Sequence, residues 1–350
     1  MLFMQLRGKL RTESQVQFDQ LPFKRIIENF QFSISSLFWI GLWIFGLVVL
    51  LSFLMRWWPG DRIITVRFIN YFMAWLLMGL VPCLITAWLS GHKWLAATLL
   101  VPTFLIALTY LPILVKFKKI VNPNGIPLKV MSYNVWRYNL NIDAISKVII
   151  NENPDILLLQ EIKPYRMQIL KYKLKNLYPN DKLNIEYAPE ILQAVISRYP
   201  LTPLEVAPDK GRAQKVLAET PFGRITVINI HTYHWGWKWR HRQISKLLKE
   251  DVATAKGPLI LGGDFNTSDQ TQTYRMVNQY LDNSHWEAGW GFGFTYPSSS
   301  VCWPGNVPIP SIIRIDHIFY SDHFIAKSAR TLAESGGSDH LPVVADFIIN

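Results

Sequence analysis

The sequence predicts an α/β fold of two packed mixed β-sheets with outer helices, preceded by three transmembrane helices. Three observations carry this. Ile34–Met55, Phe68–Ser90 and Trp94–Val115 hold no charged residue, and each exceeds the roughly 18–20 apolar residues that cross a hydrocarbon core of about 30 Å. From Leu128 onward, short apolar runs alternate with amphipathic, Lys-rich segments, as strands and helices interleave in an α/β domain. Several of these runs are joined by hairpin-like links, so two mixed sheets fit better than one doubly wound sheet.

Taken in order, residues 1–33 form a polar tail with Arg7, Lys9, Arg11, Lys24 and Arg25. Phe23, Ile26, Ile27 and Phe30 recur at helical spacing, which suits a helix on a membrane surface or a lead-in to the first span. The three spans, about 34–55, 68–90 and 94–115, make up an anchor over 34–115. The first ends in Arg56-Trp57-Trp58-Pro59-Gly60, where tryptophans suit the headgroup level and Pro-Gly turns the chain. Pro82 is expected to kink the second, and only Gly91-His92-Lys93 separates it from the third. With no charged residue inside a span, an ion or proton pathway is disfavoured; this reads as an anchor. Basic residues flank both sides almost equally. The N-terminus is assigned inside the cell membrane and the C-terminal domain outside or in the periplasm, with Lys116, Lys118 and Lys119 pointing the other way.

Residues 116–127 contain a turn-rich linker, Val121-Asn122-Pro123-Asn124-Gly125, and 128–350 form the second domain. Strands are expected at Leu128–Asn134, Ile156–Gln160, Ala194–Ser197, Arg224–His231, 259–264, Ile313–Tyr320 and Val343–Ile348. Helices are expected at Ile142–Glu152, Lys163–Leu177, Trp239–Ala255 and Thr271–Leu281.

The net charge of +11 is concentrated near the spans. Residues 1–126 carry 12 Lys and Arg against 4 Asp and Glu, whereas residues 127–350 carry 24 against 21. The second domain is therefore a poor match for long duplex DNA, whose binding leans on many phosphate contacts. Two distant cysteines, Cys83 and Cys302, exclude a disulfide framework or a cysteine zinc site.

Polar residues follow the apolar runs with a regularity that a single strand end would not suggest. The run from Leu259 delivers Gly262-Gly263-Asp264-Phe265-Asn266, with Asp264 and Asn266 two apart and so on one side of an extended chain. Alone, that stretch reads more readily as an Asx turn closing a strand. Other strands end in Asn134, in Gln160-Glu161, in His231 and in Asp316-His317, and Gly336-Gly337-Ser338 leads to Asp339-His340. Repeated ionisable groups at strand ends are how a site is assembled on a rigid sheet.

In these stretches the sequence resembles the endonuclease/exonuclease/phosphatase superfamily. The matching residues are Ser132-Tyr133-Asn134-Val135, Leu159-Gln160-Glu161, Ile196-Ser197-Arg198-Tyr199-Pro200, Asn229-Ile230-His231, Gly263-Asp264-Phe265-Asn266, Arg314-Ile315-Asp316-His317-Ile318 and Ser338-Asp339-His340-Leu341-Pro342. The resemblance implies a four-layer α/β sandwich and a phosphoester hydrolase using Mg²⁺ or Mn²⁺. It assigns Glu161 to the metal and Asn134 to the metal shell or the phosphate, with Asp339 as a further carboxylate near the cation. Asp264 would orient or deprotonate the attacking water and Asn266 would steady phosphate oxygens. His340, oriented by Asp316, would pair with the phosphate or transfer a proton, and His231 would serve the leaving side.

Other residues read as structural: His234 as a loop residue, His317 turned away by strand alternation, Arg198 as an ion pair or a clamp, and Asp269, Asp282 and Asp322 as solvent-facing. The segment around Trp235, Trp237 and Trp239, interleaved with Lys238, Arg240 and Arg242, suits base stacking, a lipid interface or ordinary packing. Trp286, Trp290, Phe292, Phe294 and Trp303 form a second aromatic region between the two halves of the site, and the resemblance implies that such loops set specificity. The resulting expectation is a membrane-anchored, metal-dependent phosphodiesterase whose partners are the lipid bilayer and a phosphoester, with a phospholipid among the candidates. A nuclease acting on DNA or RNA is the enzymatic rival, and an inactive scaffold of the same fold the non-enzymatic one.

Overall fold

The computed structural model describes residues 22–115, 125–175, 178, 183–205, 213–234, 236–303 and 307–349. Most of the polar tail, the Lys116–Lys119 cluster, the linker turn and Trp235 lie outside these residues. The chain divides into two compact units, Met1–Leu51 with Met78–Phe104, and Ser52–Leu77 with Leu105–Asn350.

The first unit is helical, holding α1 (Pro22–Met55) as far as Leu51, most of α3 (Met73–Leu89) and α4 (Lys93–Leu114) as far as Phe104. Helix is continuous from Pro22, so 22–32 leads into the first apolar stretch. At Gly46 an added Cβ would lie 2.8 Å from Leu99 Cδ2, so a glycine lets α1 and α4 approach closely. Leu37, Phe38, Ile44 and Leu47 face outward, an apolar surface that water would not favour. Ile34–Met55 and Lys93–Leu114 are each long and apolar enough to cross a membrane. The stretch expected as the second span is broken. α2 (Ile64–Tyr71) and α3 meet at Phe72 with a bend of 81°, and they qualify as a span only as a pair.

The second unit carries two six-stranded sheets. In the first, the order is β13 (Phe324–Thr331), β14 (Val343–Ile349), β1 (Ile126–Asn134), β2 (Ile156–Gln160), β4 (Gln193–Ser197) and β3 (Asn184–Ala188). The second runs β5 (Leu201–Leu204), β6 (Ala213–Thr220), β7 (Gly223–His231), β8 (Leu259–Asp264), β12 (Asp316–Tyr320) and β9 (Asp282–Asn283). A small ribbon pairs β10 (Cys302–Trp303) with β11 (Val307–Pro308). Among the described residues, only β1–β2 and β7–β8 are parallel.

Strand alternation builds four layers. Leu128 and Val130 of β1 meet Val227 of β7, Ile260 of β8 and Ile318 of β12 between the sheets. Met131 and Tyr133 face the other way, onto α5 (Ile142–Glu152) and α6 (Pro164–Leu174). Ile228, Ile230, Leu259 and Leu261 pack beneath α7 (Trp237–Leu247) and α8 (Gln272–Val277). Two mixed sheets with outer helices are thus the architecture. Local signals agree: Asn141 caps α5 by accepting from Ala144 N at 3.0 Å, Pro164 opens α6, and Thr271 caps α8.

Several elements differ from expectation. The strands β3, β5, β6 and β13 at or near the sheet edges were not anticipated, because their partly exposed residues lack a continuous apolar run. β12 begins at Asp316 and not at Ile313. The basic helix starts at Trp237 and passes into a π-helical turn, Leu248–Val252, while α8 is shorter than the interval 271–281.

Candidate active site

Strand register brings the ionisable residues to one edge. His231 of β7 and Asp316 of β12 both pair with Asp264 of β8, so the three lie side by side across the second sheet. In the facing sheet Asn134 pairs with Gln160, and Glu161 follows immediately. By the alternation that buries Val130 and Ile260, Asn134, His231, Asp264 and Asp316 all occupy inner-face positions. Asp339 and His340 arrive on the loop between β13 and β14. That loop is fixed by Ser338, whose Oγ donates to Asn134 O at 2.6 Å and accepts from His340 N at 3.1 Å.

The glycine pair before Asp264 has a steric cause. A Cβ on Gly262 would come within 2.6 Å of Leu158 Cδ1 in the opposite sheet. Gly263 has φ +145°, and a Cβ there would lie 1.9 Å from Ile230 O. Three further residues around the site hold positive φ without being glycine: Trp136 (57°), Glu161 (60°) and Asn266 (46°). Such backbone persists only where its surroundings fix it, and it clusters at functional sites.

Asp264 is the hub. Its Oδ2 accepts from Asn134 Nδ2 at 3.0 Å and its Oδ1 from Asn266 N at 2.8 Å. Two imidazoles flank Oδ2, His231 Nε2 at 3.6 Å and His340 Nε2 at 3.8 Å. Burial raises the carboxyl's pKa, with the two histidines opposing. Burial would also depress His340, but Asp316 at 2.9 Å from Nδ1, with Asp264 and Asp339 nearby, outweighs it and holds the imidazole up at about 10. The ring of Tyr296 lies against it, centroids 4.9 Å apart.

Burial likewise pushes Glu161 up, yet Arg137 reverses the sign. Its backbone N and Nε donate to Oε2 at 2.9 and 3.1 Å, Nη2 donates to Oε1 at 3.1 Å, and the carboxyl is lowered to about 2. Asp339 lacks such a partner, and burial pushes it up to about 6.

Glu161, His231, Asp264, Asn266, Asp339 and His340 line one cavity of about 860 Å³, together with Arg137, Tyr296 and Arg240. The family whose profile fits the chain is Endonuclease/Exonuclease/phosphatase, matched over residues 131–340. The chain belongs to that family. Among solved structures it is similar to an endonuclease/exonuclease/phosphatase from Bacteroides vulgatus, at 17% identity and TM-score 0.52 over 64% of this chain and 100% of the other. A family protein from Bacteroides thetaiotaomicron gives 19% and 0.52 over 65% and 99%. A mannosyl-6-phosphatase from the same species gives 20% and 0.50 over 63% and 100%. A search of curated proteins gave no match.

Members of the endonuclease/exonuclease/phosphatase family are generally dependent on a divalent metal, and the donors present here fit one. Among the described residues Asp339 Oδ1 and Asp316 Oδ1 are buried without a hydrogen-bond partner. Glu161 and Asp339 both line the cavity, whereas Asp264 and Asp316, which close with His340 into a group within 4.8 Å, are engaged by that histidine. The set is dominated by carboxylate oxygen, which suits a hard cation.

Three residues of this family domain escaped the reading of the sequence. Arg137, on the loop after β1, carries no pattern that announces a bidentate partner for Glu161. Tyr296 forms an isolated β-bridge with Ile313, and Arg240 is a buried member of the basic segment, donating to Asn266 O. One amide N–H of Asn266 goes to Thr232 O at 3.1 Å, so that side chain secures the loop rather than facing the cavity with both donors. Trp237 lines the cavity and lies over His241, while Trp239 is exposed. The second aromatic region packs elsewhere: Phe294 stacks on Trp75 at 5.8 Å, and Trp286 and Phe292 contact Tyr110. His317 is buried and faces Thr267 O, as alternation predicts. Arg198 pairs with Asp155 at 3.1 Å beside the start of β2, opposite the site end. Asp269 is only partly exposed: it stands near Arg314, Gln270 and Trp286, and burial raises its pKa to about 6.

Proposed function

We propose that this protein is a membrane-anchored, divalent-metal-dependent phosphodiesterase. The observation that carries the proposal is Asp264 Oδ2, held by Asn134 and flanked by two imidazoles at 3.6 and 3.8 Å. A buried carboxylate with a raised pKa is a better proton acceptor than a free one, and a histidinium beside it can meet negative charge. The long apolar helices near the N-terminus support the anchored reading.

In the proposed reaction, Asp264 takes a proton from water as its oxygen bonds to phosphorus. The bond from phosphorus to the leaving oxygen breaks, and His231 delivers a proton to that oxygen. His340, kept charged by Asp316, pairs with the non-bridging oxygens as charge develops on them. Glu161, Asp339 and Asn134 would hold Mg²⁺ or Mn²⁺. When bound, that ion supplies Lewis-acid neutralisation of the phosphoryl oxygens. Arg137 orients Glu161 toward the cavity through both carboxylate oxygens.

The test is hydrolysis of bis(p-nitrophenyl) phosphate by the detergent-solubilised chain with Mg²⁺ or Mn²⁺. Activity is expected, with a loss of about 10²–10⁴-fold in Asp264→Asn at unchanged Tm. An active D264N enzyme would refute the assignment.

A further inference from the structure

One wall of the cavity comes from outside the family domain. Residues 131–340 match the family, yet α2 contributes Ile64, Arg67, Phe68 and Tyr71 to the cavity lining. The wall is built in. Tyr71 Oη donates to Asn266 O at 2.7 Å, and Ser268 Oγ donates to Asn70 O at 2.9 Å. Asp61 accepts from Asn70 Nδ2 at 2.8 Å and from Gln272 N at 2.6 Å, and Arg275 Nη2 donates to Arg56 O at 2.6 Å. α2 is thereby tied to the loop that leaves Asp264 and to the start of α8.

What this wall presents is amphipathic. Ile64 and Phe68, four residues apart, share a face of the helix and are 72% and 62% exposed despite lining the cavity. Phe72, the next in that row, lies against Phe68 at 4.7 Å. Arg67 stands beside the row, and Arg137 faces the same cavity. An apolar strip next to cations matches a ligand that is anionic at one end and alkyl at the other. Chain connectivity favours a membrane source, since Ile64 follows nine residues after Met55, the end of a stretch able to cross a bilayer, and α2 and α3 together are long and apolar enough to cross one.

We infer that α2 forms a lipid subsite, so that the substrate is a phospholipid whose phosphate meets Asp264 and His340 while its chains lie on Ile64, Phe68 and Phe72. The inference rests on the hydrolase reading above and extends it to substrate class.

Full-length protein in detergent micelles is assayed on dioleoyl and dihexanoyl phosphatidylglycerol, on bis(p-nitrophenyl) phosphate and on a single-stranded DNA oligonucleotide. The long-chain lipid is expected to be preferred over its short-chain analogue, and I64S/F68S to reduce that ratio about tenfold. Phe68→Tyr, which keeps the ring, retains the preference. An unchanged ratio in I64S/F68S overturns the subsite, as does faster cleavage of DNA than of either lipid. A phospholipid carrying a photoactivatable chain gives a readout free of turnover: crosslinks within residues 64–72 support the subsite, and crosslinks confined to 34–55 and 93–114 overturn it. Crosslinking at α2 without hydrolysis of any substrate defeats the hydrolase reading and leaves the subsite standing.

Discussion

Asp316 Oδ2 and His340 Nδ1 lie 2.9 Å apart, both side chains nearly closed to solvent. The bond fixes the ring so that Nε2 points to Asp264, 3.8 Å away. It also determines charge. Burial favours a neutral imidazole, and Asp316 is the first of the groups that overturn this preference.

The pH profile of the enzyme follows. A histidine held at about 10 is charged throughout the neutral range, and its contribution falls only as pH rises through that value. Asp316→Asn removes the main opposing charge, so the alkaline limb of kcat/KM should move toward neutral pH by at least one unit, an estimate of about 1.4 kcal/mol in interaction. Rates measured between pH 6 and 11 decide it. Superimposable alkaline limbs would mean that Asp316 does not govern His340.

Metal removal should abolish activity. EDTA is expected to stop hydrolysis, with Mg²⁺ or Mn²⁺ restoring it, and Mn²⁺ binding followed by electron paramagnetic resonance should weaken at least tenfold in Glu161→Gln and in Asp339→Asn. Full activity in EDTA excludes this assignment of the two carboxylates.

Arg137 makes a prediction about stability in acid. Glu161 is lowered to about 2 from an ordinary 4.5. A depressed carboxyl contributes stability that is complete above about pH 4.5 and is lost as pH falls toward 2. In Arg137→Ala burial is left as the dominant influence, so Glu161 should protonate at higher pH and the acid limb of Tm should shift upward. Tm recorded from pH 2 to 7 in both proteins gives the answer; identical acid limbs would show that the pair adds nothing.

Much of this arrangement was legible because the period of a strand is two. Counting from Val130, Leu158 and Ile260, which face the opposite sheet, places Asn134, Gln160 and Asp264 on the same inner face, and places His317 on the other. The family motifs then supplied an order for the strand ends. What escaped had no local signal. Arg137 reaches Glu161 across 24 positions and Tyr71 reaches Asn266 across 195, and no pattern within a short window encodes such distances. The apolar stretch 68–90 was read as one span because its composition is uniform. Tyr71, whose hydroxyl ties α2 to the loop after Asp264, and Asn70, whose amide bonds Asp61, are too few polar groups to change an average over twenty residues.

The glycine before Asp264 offers the sharpest test of how backbone serves the site. Gly263 combines φ +145° with a space in which a Cβ would stand 1.9 Å from Ile230 O and 2.8 Å from Ile230 C. Both atoms belong to the backbone of β7, so no side chain can swing aside. Gly263→Ala must push β8 away from β7, and the residues paired next in that register are His231 and Asp264. Stability should fall by about 3 kcal/mol or more, which lowers Tm by roughly 6–12 °C in a domain of this size. Activity should fall with it even well below Tm, because the His231–Asp264 approach is lost. Gly291→Ala is the control: φ is +71°, but nothing lies within 4 Å of the added carbon, so only the backbone preference, about 1 kcal/mol, is at stake. Equal losses of Tm in the two variants would show that the contact with Ile230 relaxes without cost, and that the glycine is not what holds these strands in register.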